Sequence, residues 1–176
     1  MPKTGIERSV HLAKKLGPER MAAGTAYLKT IGEAEGINFS FNGKIGNTRD
    51  AHRLVQLAKT KSNEAENSLV STLFKSHFEE DADITSRDAL AAIGEKAGLS
   101  KAEVQDWLDQ GKGGKEVDRE VEEAAREGIH GVPHFTINGK YRVEGIQDPQ
   151  TLVEVFVRAK SASGDVSTSS SEGVCR

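Results

Sequence analysis

The stretch "GVPHFTINGKYRVEG", Gly131–Gly145, decides the fold. Two β-branched and aromatic runs, "HFTI" and "KYRV", are joined by Asn138-Gly139. Asn-Gly between such runs is the strongest short-range signal for a type I′ hairpin, because both turn residues need positive φ. Val132-Pro133 opens the first run. Just beyond, "QDPQTLVEVFVRAK" puts Asp148 at a helix N-cap and Pro149 at the first helical position. Leu152, Val153, Val155, Phe156 and Val157 make that helix apolar on most sides, which predicts burial against a sheet.

Upstream, from Ile6 to about Gly128, the pattern is helical with one extended interruption. A first helix is predicted over Glu7 to Leu16, and Gly17-Pro18 ends it and starts a second one reaching Ala34. "GINFSFNGKIGNT" reads as a loop or short extended piece. Asn47 or Thr48 caps a helix through Ala58, and Leu69, Val70, Leu73, Phe74 and Phe78 recur at helical spacing in the next. Thr85 or Ser86 caps a helix to Ala97, and "SKAE" at Ser100 has the pattern of a capping box. "GKGG" breaks the helix carrying Val104, Trp107 and Leu108. A charged helix with a stripe of Val117, Val121, Ala124 and Ala125 leads to the hairpin. A lone two-stranded hairpin is marginal in water, yet no second pair of strands can be read here. The residues imply a larger sheet than they encode.

Composition bounds the function. The 176 residues are 36% hydrophobic and 29% charged with net charge -3, and no basic stripe suggests nucleic acid. No apolar run is long enough for a bilayer, and the charged N-terminus lacks the apolar core of a secretory signal. The single cysteine, Cys175, cannot form an internal disulfide, so an intracellular, cytoplasmic location is expected. It lies in a Ser/Gly-rich tail, 161–176, expected to be disordered, and reads as an incidental thiol. His130 and His134 are four apart, but Pro133 between them rules out a helical metal pair, and no metal is expected. "EEDADITSRD" lacks the glycine and closing glutamate of a calcium loop.

The segment "GIHGVPHFTINGKYRVEGIQDPQTLVEVF" resembles the C-terminal half of a thioredoxin-type fold. More closely it resembles the DsbA-like family, in the branch of FrnE-like oxidoreductases, 2-hydroxychromene-2-carboxylate isomerases and kappa-class glutathione transferases. "GPERMAAGTAYLKTIGEAEGINFSF", "GNTRDAHRLVQLAK" and "KEVDREVEEAAREGIHGVPHF" are similar to stretches of that branch, in order, from Pro2 to about Arg158. The resemblance implies an α/β chain, mainly helical: the C-terminal half of a thioredoxin-like fold, a β-hairpin plus flanking helices, with a helical insertion subdomain. The expected boundaries are 1–110 for the insertion, 111–160 for the thioredoxin-like half (hairpin 133–144, helix 148–160) and 161–176 for the tail. In the family the fold begins with a strand, a Cys-x-x-Cys or Ser-bearing helix and a second strand. This sequence resembles the family only from the end of that strand, so no catalytic residue is expected in the chain. A longer native protein and a true short form both account for this. The first is expected, because half a sheet would leave backbone donors and apolar faces open.

The resemblance also implies substrate-binding residues. Val132 and Pro133 would form the cis-proline strand whose backbone pairs with an extended thiol substrate; an ordinary strand-starting proline is the alternative. Gln147 and Asp148 would hold the γ-glutamyl end of glutathione, or serve only as the helix cap. Asn47, His52 and Arg53 would contact substrate, or belong to a capped helix with a partly buried histidine and a surface arginine. The implied activity is that of a FrnE-like thiol-disulfide oxidoreductase. The alternatives are a glutathione-dependent transferase or isomerase of the kappa type and a non-catalytic truncated binding module. No bound cofactor is expected, with glutathione a possible co-substrate. Expected partners are a thiol or disulfide substrate, glutathione or a client protein, with no nucleic acid or membrane, and with a homodimer open as an assembly.

Overall fold

The computed structural model describes residues 4–164. In chain order these form β1 (Ile6–Glu7), α1 (Arg8–Leu16), α2 (Pro18–Ala34), β2 (Lys44–Ile45), α3 (Arg49–Lys59) and α4 (Asn63–Phe78). Then come α5 (Arg87–Lys96), α6 (Lys101–Asp109), α7 (Gly114–Arg126), β3 (His134–Ile137), β4 (Tyr141–Glu144) and α8 (Pro149–Gly164). The chain divides after Glu120 into two units. The expected boundary at 110 falls earlier, because the first turns of α7 are built into the helical unit. Val117 is buried, Asp118 bonds Arg49, and Glu120 bonds Gln56 and Lys59.

The core of the first unit is made by α3 to α6. Leu54, Leu57, Leu69, Leu90, Val104 and Leu108 are at most 1% exposed. Burying each such side chain contributes roughly 1.5–3 kcal/mol. Gly94 allows the α5–α6 approach, since a Cβ there would meet Val104 Cγ2 at 2.8 Å. On α4 the predicted apolar stripe splits. Leu69 and Leu73 enter the core, whereas Phe74 is 61% exposed. Ser62 and Ser86 cap α4 and α5, accepting from the main-chain N–H of Ala65 (3.1 Å) and Ala89 (3.4 Å). Ser100 stands at the N-cap of α6, but its side chain makes no cap bond, so the predicted capping box does not form.

A second strand pair exists, contrary to the expectation of none. β1 and β2 pair antiparallel, Ile6 opposite Ile45 and Glu7 opposite Lys44. Two-residue strands are too short for a period-2 pattern to show in sequence.

In the second unit β3 and β4 pair antiparallel, from His134 opposite Glu144 to Ile137 opposite Tyr141. Asn138 (φ 51°) and Gly139 (φ 65°) take the positive φ that the Asn-Gly pair predicts, and Lys140 N–H donates to Ile137 O at 3.1 Å. The register nevertheless places three residues between the strands, not two, with Lys140 the extra one. Arg142 donates to Glu127 O at 3.0 Å and so ties β4 to the end of α7. The stripe on α7 is largely unburied, with Val121 64% exposed.

The last helix departs most from expectation. Val153, Phe156 and Val157 are 49–59% exposed, whereas Ala159 is 2% exposed. The predicted burial does not occur, because the described sheet of the hairpin has only two strands, β3 and β4. α8 also runs on to Gly164, past the expected end at 160. The rest of the expected tail, including Cys175, lies outside the described residues. Among the described residues no helix is long and apolar enough to cross a membrane, and no group of three His, Cys, Asp or Glu side chains could hold a metal.

Candidate functional site

Val132 is 91% exposed and stands immediately before the hairpin. Its peptide bond to Pro133 is cis. The Pro133 carbonyl is taken within the hairpin, accepting from Gly145 N–H at 2.8 Å. Val132 differs: no hydrogen bond among the described residues engages its N–H or C=O. An extended segment laid against it could add two main-chain bonds, the geometry of strand addition.

Gln147 and Asp148 follow at the start of α8. Asp148 Oδ1 accepts from Thr151 N–H (3.0 Å) and Oδ2 from Thr151 Oγ1 (2.6 Å). These bonds, the side-chain one first, hold its carboxyl below the usual carboxylate range. Asp148 is thus the N-cap of α8, with both oxygens engaged by the helix. Gln147 donates from Nε2 to Glu144 O at 2.7 Å, closing the loop after β4.

Asn47, His52 and Arg53 do not form one constellation. They serve opposite sides of α3. Thr48 is the N-cap of α3 without a side-chain cap bond, and Asn47 Oδ1 just before it accepts from Arg49 N–H at 2.8 Å. Arg53 is 3% exposed. It donates to Lys112 O (2.8 Å), Trp107 O (3.1 Å), Leu108 O (2.9 Å) and Asp50 Oδ1 (2.6 Å). The expectation of a surface arginine is corrected: the guanidinium is buried and clamps the end of α6 to α3. Asn47, Arg49, Asp50, Arg53, Thr85 and Arg87 line a polar hollow of about 310 Å³. Its charges are balanced internally, Arg49 by Asp118 and Arg87 by Asp50 and Asp109. The Asp118 hydrogen bond raises the Arg49 pKa and lowers that of Asp118.

His52 is exposed, not partly buried, and looks into a different space. With Thr48, Ala51 and Val55 of α3 it forms one wall of a groove of about 330 Å³, and Val70, Leu73, Phe74, His77 and Phe78 of α4 form the other. The groove is apolar apart from Thr48 and the two imidazoles, and so suits a branched or aromatic group. Phe74 and Phe78 are exposed because they line it (ring centroids 6.1 Å apart).

Sequence reasoning missed His77 and its neighbours. Arg8, Ser40, His77 and Asp81 form one polar junction at the end of α4. Asp81 (φ 56°) accepts from Gly43 N–H at 2.7 Å and from Ser40 Oγ at 2.5 Å. The only signal was a run of polar residues after an amphipathic helix, which reads equally well as a solvated turn.

A family model described as a DSBA-like thioredoxin domain matches residues 3–157. No curated protein gives a significant match.

Proposed function

The chain belongs to the DSBA-like thioredoxin domain family, a family of the thiol-disulfide oxidoreductase type, and from that membership we propose that it carries the substrate-binding part of a thiol–disulfide exchange site. The observation that supports this most directly is the unengaged main chain of Val132 at the mouth of the hairpin. An extended substrate pairs with it as a short antiparallel strand, its sulfur held beside Pro133. The α3–α4 groove is a second, apolar contact surface for the same class of substrate, with His52 and Thr48 at its rim.

The exchange chemistry needs a thiolate. It attacks one sulfur of a substrate disulfide, forms a mixed disulfide and expels the other sulfur as thiolate; a second thiol then resolves the mixed disulfide. The described residues contain no cysteine. In this reading the attacking and resolving thiols come from a Cys-x-x-Cys segment that also supplies further strands to the hairpin. Exposed Val153, Phe156 and Val157 on α8 are the apolar surface such strands would cover. The FrnE-like branch is the proposed one, with glutathione or a client protein as the thiol partner in an intracellular setting.

Binding can be tested apart from turnover. Residues 1–176 labelled with ¹⁵N are titrated with glutathione disulfide. The Val132 amide resonance is expected to move most, with smaller shifts at His134. Saturable shifts confined to other residues, or none at Val132, overturn the reading. A response to reduced glutathione but not to the disulfide favours the kappa-type transferase instead.

A further inference from the structure

Arg8 opens α1, yet it is 5% exposed. Its guanidinium donates to Ser40 O at 2.8 Å and to His77 O at 3.0 Å, and its carbon lies 5.7 Å from the Phe78 ring centroid. Its main-chain N–H donates to Gly43 O at 2.9 Å. One residue therefore ties the start of α1 and the segment 40–43 to the end of α4. The remaining contact is to the imidazole: Arg8 Nη2 sits 2.9 Å from Nε2 and 3.2 Å from Nδ1 of His77. Nη2 is thus nearly equidistant from two nitrogens whose lone pairs diverge in the ring plane, so the guanidinium, charged at any ordinary pH, lies against the face of the ring. A neutral imidazole tolerates a cation on its face, and an imidazolium repels it.

We propose that the Arg8–His77 contact is a proton-operated latch. Proton uptake by His77 sets imidazolium against guanidinium, and frees β1 and the segment 40–43 from the end of α4. His77 and Phe78 line the apolar groove at that end, so the latch couples the shape of the groove to pH. The latch stands on its own geometry and does not depend on the substrate reading.

The charged groups around His77 act in both directions. Burial, and after it the Arg8 charge, favour the neutral ring. The Ala82 backbone, Asp81 and Asp83 favour the cation, and the balance leaves the pKa below the ordinary histidine value. From α3 the titratable group facing the same groove is His52. A histidine whose folded pKa is depressed holds its contact fully above the open-state value, about 6.5. The contact weakens as pH falls below that and is lost through the folded value.

Hydrogen exchange on the full chain, corrected for intrinsic rates, tests this between pH 7.5 and 5.0. In peptides covering residues 4–16 and 38–45, the local opening constant should rise by up to about tenfold per pH unit below about 6.5. His77→Gln keeps a neutral planar polar group against Arg8 but takes up no proton, and should abolish the rise. His52→Gln should leave it intact. A flat profile in the wild type, or an equal rise in His77→Gln, overturns the latch. Should His77→Gln fail to fold, NMR titration of the wild-type ring decides. The His77 midpoint must lie below 6.5 and at the pH where the rise in opening levels off; any other midpoint contradicts the proposal.

Discussion

At the scale of single residues, Arg53 and Asp81 separate structural from substrate roles. Arg53→Met leaves the buried carbonyls of Trp107, Leu108 and Lys112 without their donor. Breaking such a charged, buried set costs about 3–5 kcal/mol. Urea denaturation should show that loss, with Arg53→Lys between the two because an ammonium cannot span the same acceptors. Unchanged stability with weakened glutathione binding would return Arg53 to the substrate site. Asp81→Ala strands the Gly43 N–H and removes a residue type that tolerates positive φ, a cost of about 2–3 kcal/mol. Asp81→Asn keeps one acceptor oxygen and that tolerance, and should lose less than half as much. Neither role was legible in sequence. Arg53 finds its carbonyls 54–59 residues further along the chain, and a helical pattern alone places an arginine outward. What pattern did give correctly was the local chemistry of Asp148-Pro149 and of Asn138-Gly139, where each residue acts on its immediate neighbours.

At the scale of elements, the three serine caps make a graded test. Ser62→Ala and Ser86→Ala each remove a side-chain bond to a helix N–H, and each should cost about 1 kcal/mol in chemical denaturation. Ser100→Ala removes none and should cost under about 0.5 kcal/mol. An equal loss at all three would mean that the capping box of α6 forms after all. The start of α8 should respond to acid through Asp148. Its lowered pKa means that the cap holds above the ordinary carboxylate value and is lost as pH falls through the folded one. Thr151→Val removes the hydroxyl contact, so the Asp148 carboxyl should titrate at higher pH, readable by side-chain ¹³C NMR. Helix existence and most starts could be read from the sequence, because caps and 3.6-residue periodicity are local. The β1–β2 pair could not, because its two partners lie far apart and each spans two residues.

At the scale of the whole molecule, the mismatch between pattern and burial carries the most information. α8 has the composition of a buried helix, yet Phe156 and Val157 are 54% and 59% exposed. Phe156→Glu with Val157→Lys should therefore change the stability of residues 1–176 by less than about 0.5 kcal/mol each while reducing self-association. Unfolding of that variant would show that the face is already covered. The helical part buries its own apolar positions in a core made by α3 to α6, and the helices, though not that core, could be read from the sequence. The hairpin half reads from sequence as part of a larger sheet, because two strands and an apolar helix do not close a layer.

The proposal that a Cys-x-x-Cys segment completes that sheet is tested most directly by the intact mass of the native protein, with its N-terminal peptide sequenced. A mass several kilodaltons above the 19.0 kDa of these residues is expected, with the cysteine pair in the added sequence. A native protein of 19.0 kDa beginning at Met1 would contradict it and leave the Val132 strand as a docking edge without redox chemistry of its own.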